Sequence, residues 1–115
     1  MKKIQKQIVK ALDDLKAEDI IEIDTSKESS VTDSVIITSG RSSTHVNSIA
    51  HNIHEELKKH NYNDIKMEGM PSCDWVLIDA GDIIINVFRP EVRDFYKIEK
   101  IWSGNLTRNK PSELI

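Results

Sequence analysis

One stretch, residues 74–102, constrains the chain more than any other. It opens D-W-V-L-I-D-A-G-D-I-I-I-N-V-F, with apolar runs of strand length at 75–78 and 83–88 flanking Asp79-Ala80-Gly81-Asp82. That pattern predicts a β-hairpin, which passes through Pro90 into a short helical tail. Side chains alternate between the faces of a sheet, so the turn decides which residues share a face. With Ala80 and Gly81 as a two-residue loop, Asp79 faces Asp82. One side then carries Val76, Ile78, Ile83, Ile85 and Val87, and the other carries Trp75, Leu77, Asp79, Asp82, Ile84, Asn86 and Phe88. A three-residue loop including Asp79 would mix Asp82 and Asn86 with Val76 and Ile78. Turn chemistry leaves the choice open, because Ala80 is a poor occupant of a type I′ turn. The two-residue loop is preferred because it yields one wholly apolar core face.

The second face is the informative one. A solvated face is largely polar, yet here Trp75, Leu77, Ile84 and Phe88 sit among two carboxylates and an amide. Either a helix or the loop at 26–34 covers it, or it is a docking surface, since large apolar groups rimmed by charge are what protein interfaces use. Burying roughly 400 Å² of such surface at about 25 cal/mol per Å² amounts to on the order of 10 kcal/mol gross. Lost rigid-body freedom consumes much of that and leaves enough for a specific complex.

At 115 residues the chain is long enough for one domain with a core that needs no disulfide or metal. A single cysteine, Cys73, excludes an internal disulfide and suits a reducing compartment. Nothing near Met1 has the apolar run of a signal peptide or a membrane span, so a cytoplasmic protein is expected. The formal net charge is −3 and the lysines are scattered, whereas proteins that grip nucleic-acid phosphates are usually basic. A basic protein partner is favoured over bare nucleic acid, and no sequence-specific nucleic-acid binding is expected.

Along the chain, Ile4, Ile8, Ala11, Leu12 and Leu15 form an amphipathic helix over residues 2–17. Strands are predicted over 19–25 and 33–39, with a polar loop at 26–32 between them. Gly40 ends the second strand, Ser42 or Ser43 caps a second helix, and Val46, Ile49, Ala50, Ile53 and Leu57 make its apolar stripe. A short strand is placed within 66–70. The order α-β-β-α-β-β-β-α implies an α/β (α+β) domain over residues 1–102, a mixed sheet with helices mainly on one face, followed by a flexible tail over 103–115.

Candidate chemistry is sparse. Gly40-Arg41-Ser42-Ser43 at a helix start has the makings of a phosphate cradle. Together with Asp79 on a strand it faintly resembles the glycine-serine motif of nucleotidyltransferases. Those enzymes need two carboxylates close together on one strand to hold Mg²⁺, and here Leu77 and Gly81 occupy the positions two residues from Asp79. His45, His51, His54 and His60 all fall on the second helix without accompanying ligands, and are expected to be solvated. Cys73 has no nucleophilic context, and no G-x-S-x-G surrounds any serine. No catalytic group, metal site or cofactor is expected. Tyr96 and Trp102 are either core or interface, and Arg89, Glu91 and Arg93 make a charged rim.

The run from Asp74 through R-P-E-V-R-D-F-Y-K-I-E-K-I-W closely resembles the ribosomal silencing factor family, RsfS, also called the Iojap family. The likeness extends upstream through D-D-L-K-A-E-D-I, S-S-V-T-D and T-S-G-R-S-S-T-H-V, and covers roughly residues 5–102. The resemblance implies a nucleotidyltransferase-like fold with no known catalytic role. It also implies binding to the large ribosomal subunit through its fourteenth ribosomal protein, which blocks subunit joining and silences translation when nutrients are scarce. Organellar relatives assist large-subunit assembly, and the lack of a transit peptide favours the bacterial role. Carried onto this chain, the motif makes Trp75, Leu77, Asp79, Asp82, Ile84, Asn86, Phe88, Glu91, Arg93 and Tyr96 the partner-binding residues. Two positions depart from the family: Asn86 replaces the usual histidine, and Ala80 a commonly larger residue. Three function classes follow. These are a binding protein acting by steric block, a nucleotidyltransferase-type enzyme, and an RNA-binding module. Pairing of the exposed face with a second copy is also compatible with the pattern.

Overall fold

The computed structural model describes residues 3–27, 30–92 and 106–107. Its elements run α1 (Lys3–Asp14), β1 (Glu18–Asp24), β2 (Ser34–Ser39), α2 (Ser43–Lys59), β3 (Lys66–Glu68), β4 (Trp75–Asp79), β5 (Ile83–Phe88) and β6 (Leu106–Thr107). Six strands form one sheet in the order β3-β4-β5-β2-β1-β6, in which β2 and β5 pair parallel and the other neighbours pair antiparallel. The fold is therefore α+β with a mixed sheet. Residues 90–92 are helical, as expected just after Phe88. The two-residue strand β6 lies where no element is expected from sequence, and it pairs with Glu22 and Ile23 at the edge of β1.

Both helices lie on one face because each carries a single apolar stripe. Ile8 and Leu12 of α1 meet Val46, Ile49, Ala50, Ile53 and Leu57 of α2 over Ile36, Val76, Ile78, Ile83, Ile85 and Val87 of the sheet, all but closed to solvent. The side of the hairpin expected to face the core does so. β2 is buried along its whole length, as befits a central strand covered on both faces.

Local chemistry sets the helix ends. Ser42 caps α2, its hydroxyl accepting from the His45 N–H at 3.1 Å. Each helix closes in a Schellman turn, with Lys16 (φ 65°) or Asn61 (φ 71°) in the left-handed region. The Ala17 N–H reaches the Leu12 carbonyl at 2.9 Å, and the Tyr62 N–H reaches that of Leu57 at 3.1 Å. Asn61 tolerates the left-handed conformation better than most residues. The turn it makes brings Tyr62 back toward the sheet.

The hairpin turn differs from the expectation by two residues. Trp75 pairs with Phe88, Leu77 with Asn86 and Asp79 with Ile84, so Asp79 does not face Asp82. The Ala80 N–H donates to the Ile83 carbonyl at 3.0 Å, which leaves Gly81 and Asp82 as the loop. Gly81 has φ +93° and Asp82 is not among the positive-φ residues, the pattern of a type II′ turn with glycine at its first centre. A shift of two preserves parity, so the same residues share each face.

Gly69 connects β3 to β4 with φ +93°, and a Cβ there would collide with the Trp75 carbonyl. Gly69→Ala combines strain with a backbone clash. It is expected to lower unfolding free energy by about 2 kcal/mol or more, measured by urea denaturation.

Candidate functional site

The sheet face turned away from the helices is divided. Toward β1 it is a second core of Ile21, Ile23, Val35, Ile37 and Phe88, with Ile84 and Val92 packed against it. Toward β3 it opens. Trp75 is 40% exposed, one of only two large apolar side chains so accessible among the described residues. Leu77, Asp79 and Ile84 beside it are half-buried. Directly opposed residues of an antiparallel pair share a face. Lys66, opposite Asp79, and Glu68, opposite Leu77, therefore extend this strip onto the edge strand, and both are exposed. Neither is singled out by sequence, because three residues are too few to show which way a strand faces.

Two contacts with β5 hold Trp75. Its indole lies against the Phe88 ring with centroids 4.8 Å apart and planes tilted by 36°. Its Nε1–H donates to Asn86 Oδ1 at 2.9 Å. Asn86 is only 7% exposed, and Phe88 is fully buried. These two residues, expected on the open surface, instead form the floor beneath Trp75, because β5 lies between β4 and β2 and both strands flank them.

The carboxylates also differ from a free acidic rim. Asp79 Oδ1 accepts from the Gly81 N–H at 2.9 Å, bracing the turn. Asp82 is not on the strip. Its carboxylate accepts from the Tyr62 hydroxyl at 3.0 and 3.2 Å, and its carbonyl accepts the N–H groups of Asp33 at 2.8 Å and Ser34 at 3.2 Å. Arg89 binds Asp74 at 2.8 Å and Glu91 at 3.1 Å, so Glu91 enters the rim already paired. Arg93, Tyr96 and Trp102 lie outside the described residues.

Several backbone amides around the start of α2 are already engaged within the chain. The Arg41 N–H donates to His45 Nδ1 at 2.9 Å, Ser42 caps the His45 N–H, and the Gly40 N–H donates to the Phe88 carbonyl at 2.9 Å. His45 is thus not merely solvated. Its Nε2–H donates to the Leu15 carbonyl at 2.8 Å, tying α2 to the end of α1. His60 Nδ1–H likewise donates to the Glu56 carbonyl at 2.9 Å. Among the described residues, no three His, Cys, Asp or Glu side chains gather as a potential metal-ligand set. No described helix is long and apolar enough to cross a membrane.

A family described as "Ribosomal silencing factor during starvation" (RsfS) matches residues 1–114. The chain belongs to this family. The RsfS protein of Zymomonas mobilis is 45% identical over 106 residues, covering 92% of this chain and 80% of that one. A crystal structure of a Chromobacterium violaceum protein superposes with a TM-score of 0.82 at 42% identity, covering 89% of this chain and 87% of the other. A mouse protein named "Mitochondrial assembly of ribosomal large subunit protein 1" is 33% identical over 90 residues, covering 76% of this chain and 40% of its own.

Burial and the Asp82 carboxylate together push the Tyr62 phenol up to about 12 from its usual 10. A folded-state value above the unfolded one stabilises the protein below pH 10, and that contribution is lost as pH rises toward 12. Chemical denaturation across this window should show stability falling more steeply for the unmodified chain than for Tyr62→Phe.

Proposed function

We propose that this chain binds the large ribosomal subunit and sterically prevents the small subunit from joining it, repressing translation in the cytoplasm when nutrients are scarce. Membership of the ribosomal silencing factor family supports the reading, as does the name of the mouse relative, which refers to large-subunit assembly. The partner within that subunit is its fourteenth ribosomal protein. The observation that carries the docking site is the accessible strip of Trp75, Leu77, Asp79 and Ile84, with Lys66 and Glu68 along its edge.

Trp75 is the anchor. A large, partly exposed indole on a rigid sheet is the kind of group that fills a partner pocket and dominates an interface. Asp79, Glu68 and Glu91 supply acidic character that steers a basic protein into register. Asn86 and Phe88 act from beneath by supporting the indole. Arg93 and Tyr96 complete the rim on the strength of the motif alone. The role is steric and needs no bond-making group. The enzyme reading would need a nucleotide and Mg²⁺ seated between Gly40 and Asp79. There the Arg41 and His45 N–H groups are taken by the chain's own side chains, and Asp79 braces a turn.

Sucrose-gradient sedimentation tests this. Added protein should migrate with purified large subunits and reduce the joined-ribosome peak. Trp75→Ala, with its fold verified by circular dichroism, should lose about 2 kcal/mol of affinity, or roughly thirtyfold. Undiminished binding by that variant would contradict the assignment. Sedimentation of the free chain separates a monomer from a pair of copies that share the same strip.

A further inference from the structure

In the docking strip a buried amide and a partly exposed indole share one hydrogen bond. Trp75 is partly exposed, so its Nε1–H could be satisfied by water, yet it turns inward to Asn86, an amide almost closed to solvent. In the hairpin register Trp75 lies opposite Phe88, and Asn86 lies opposite Leu77, one diagonal step away. The phenyl ring therefore limits how far the indole can tilt, while the amide oxygen fixes which edge points down. A stacking contact alone would leave the indole free to flip about its long axis, and a hydrogen bond alone would leave it free to swing away from the ring. The two together restrict both motions of the indole.

We propose that Asn86 is a positioning residue for the docking face, holding the Trp75 indole in its partner-ready orientation through the Nε1–H···Oδ1 bond. The inference rests on the docking role given to Trp75 above. Its physical basis is that freezing a mobile side chain on association weakens binding, and a side chain ordered beforehand avoids that loss. Asn86 has Phe88 and Leu77 as close neighbours, so a leucine in its place removes the acceptor without opening a large void. Asparagine to aspartate keeps the shape and the acceptor oxygen while burying a carboxyl group, so its fold is verified by circular dichroism before it is compared.

The test combines nuclear magnetic resonance of the indole Nε1–H with affinity for purified large subunits. The Trp75 signal is assigned by its loss in Trp75→Phe. In Asn86→Leu the Trp75 indole proton should move upfield and its ¹⁵N relaxation should report greater mobility. Large-subunit affinity should fall roughly three- to tenfold, the range expected from ordering one side chain on binding. Asn86→Asp should keep the ordered indole signal. In a Trp75→Ala background, Asn86→Leu should produce no further loss of affinity, an outcome that a general structural role for Asn86 does not predict. The proposal is overturned if Asn86→Leu leaves the indole as ordered as before. It is equally overturned if the indole loosens and affinity does not change, or if the affinity loss persists in the Trp75→Ala background. Unchanged affinity in Trp75→Ala itself would defeat the docking role, a result distinct from failure of the Asn86 contact.

Discussion

The turn at Gly81–Asp82 sets two registers at once. On one side it closes the hairpin with β4 through the Ala80 N–H and Ile83 carbonyl. On the other, the Asp82 carbonyl receives the Asp33 and Ser34 N–H groups, and the Thr32 hydroxyl donates to the Gly81 carbonyl at 3.0 Å. Ser34 is thereby placed beside Ile83, and β2 runs parallel to β5 from there to Ser39 beside Phe88. Tyr62, aimed by the Schellman turn at Asn61, reaches the same loop through the Asp82 carboxylate. Strand pairing on both flanks of β5 and the end of α2 therefore meet in one short segment.

What the outer face can do follows from that registration. Side chains alternate, so fixing β5 against both neighbours sends Ile83, Ile85 and Val87 to the helices and Ile84, Asn86 and Phe88 outward. Parallel pairing with β2 places Val35 and Ile37 on the same outward side, and with Ile21 and Ile23 of β1 they enclose Phe88. At the opposite flank β3 is only three residues long, so the face stays open over β4. The partly exposed Trp75 strip is the part of a largely apolar sheet surface that the neighbouring described strands do not enclose.

Much of this was legible in the sequence where the signal is local. The apolar stripes of both helices, the Ser42 cap and the two faces of the hairpin all follow from periodicity over a few residues, and each appears in the structure. The register was misplaced by two, although glycine at the first centre of a Gly81–Asp82 loop is itself a type II′ signal. Parity hid the error, because an even shift leaves the same residues together. The enclosure of Phe88 and Asn86 was not legible, since it depends on which strand pairs with the far edge of β5. The Tyr62–Asp82 contact joins residues twenty positions apart, and the His45–Leu15 contact joins residues thirty apart. No local pattern announces either. In sequence all four histidines lie on one helix and are expected to be solvated, whereas in the structure His45 and His60 bond backbone carbonyls.

Oxidative footprinting would show whether the proposed docking strip over β4 is covered by the large subunit. Hydroxyl radicals generated on the free chain and on the chain bound to purified large subunits report side-chain accessibility, with mass spectrometry reading each site. Trp75 should oxidise readily when free and be protected in the complex, while His51 on the exposed side of α2 keeps its reactivity. Equal oxidation of Trp75 in both states, with protection falling on α2 instead, would place the interface on the helical side and not over β4.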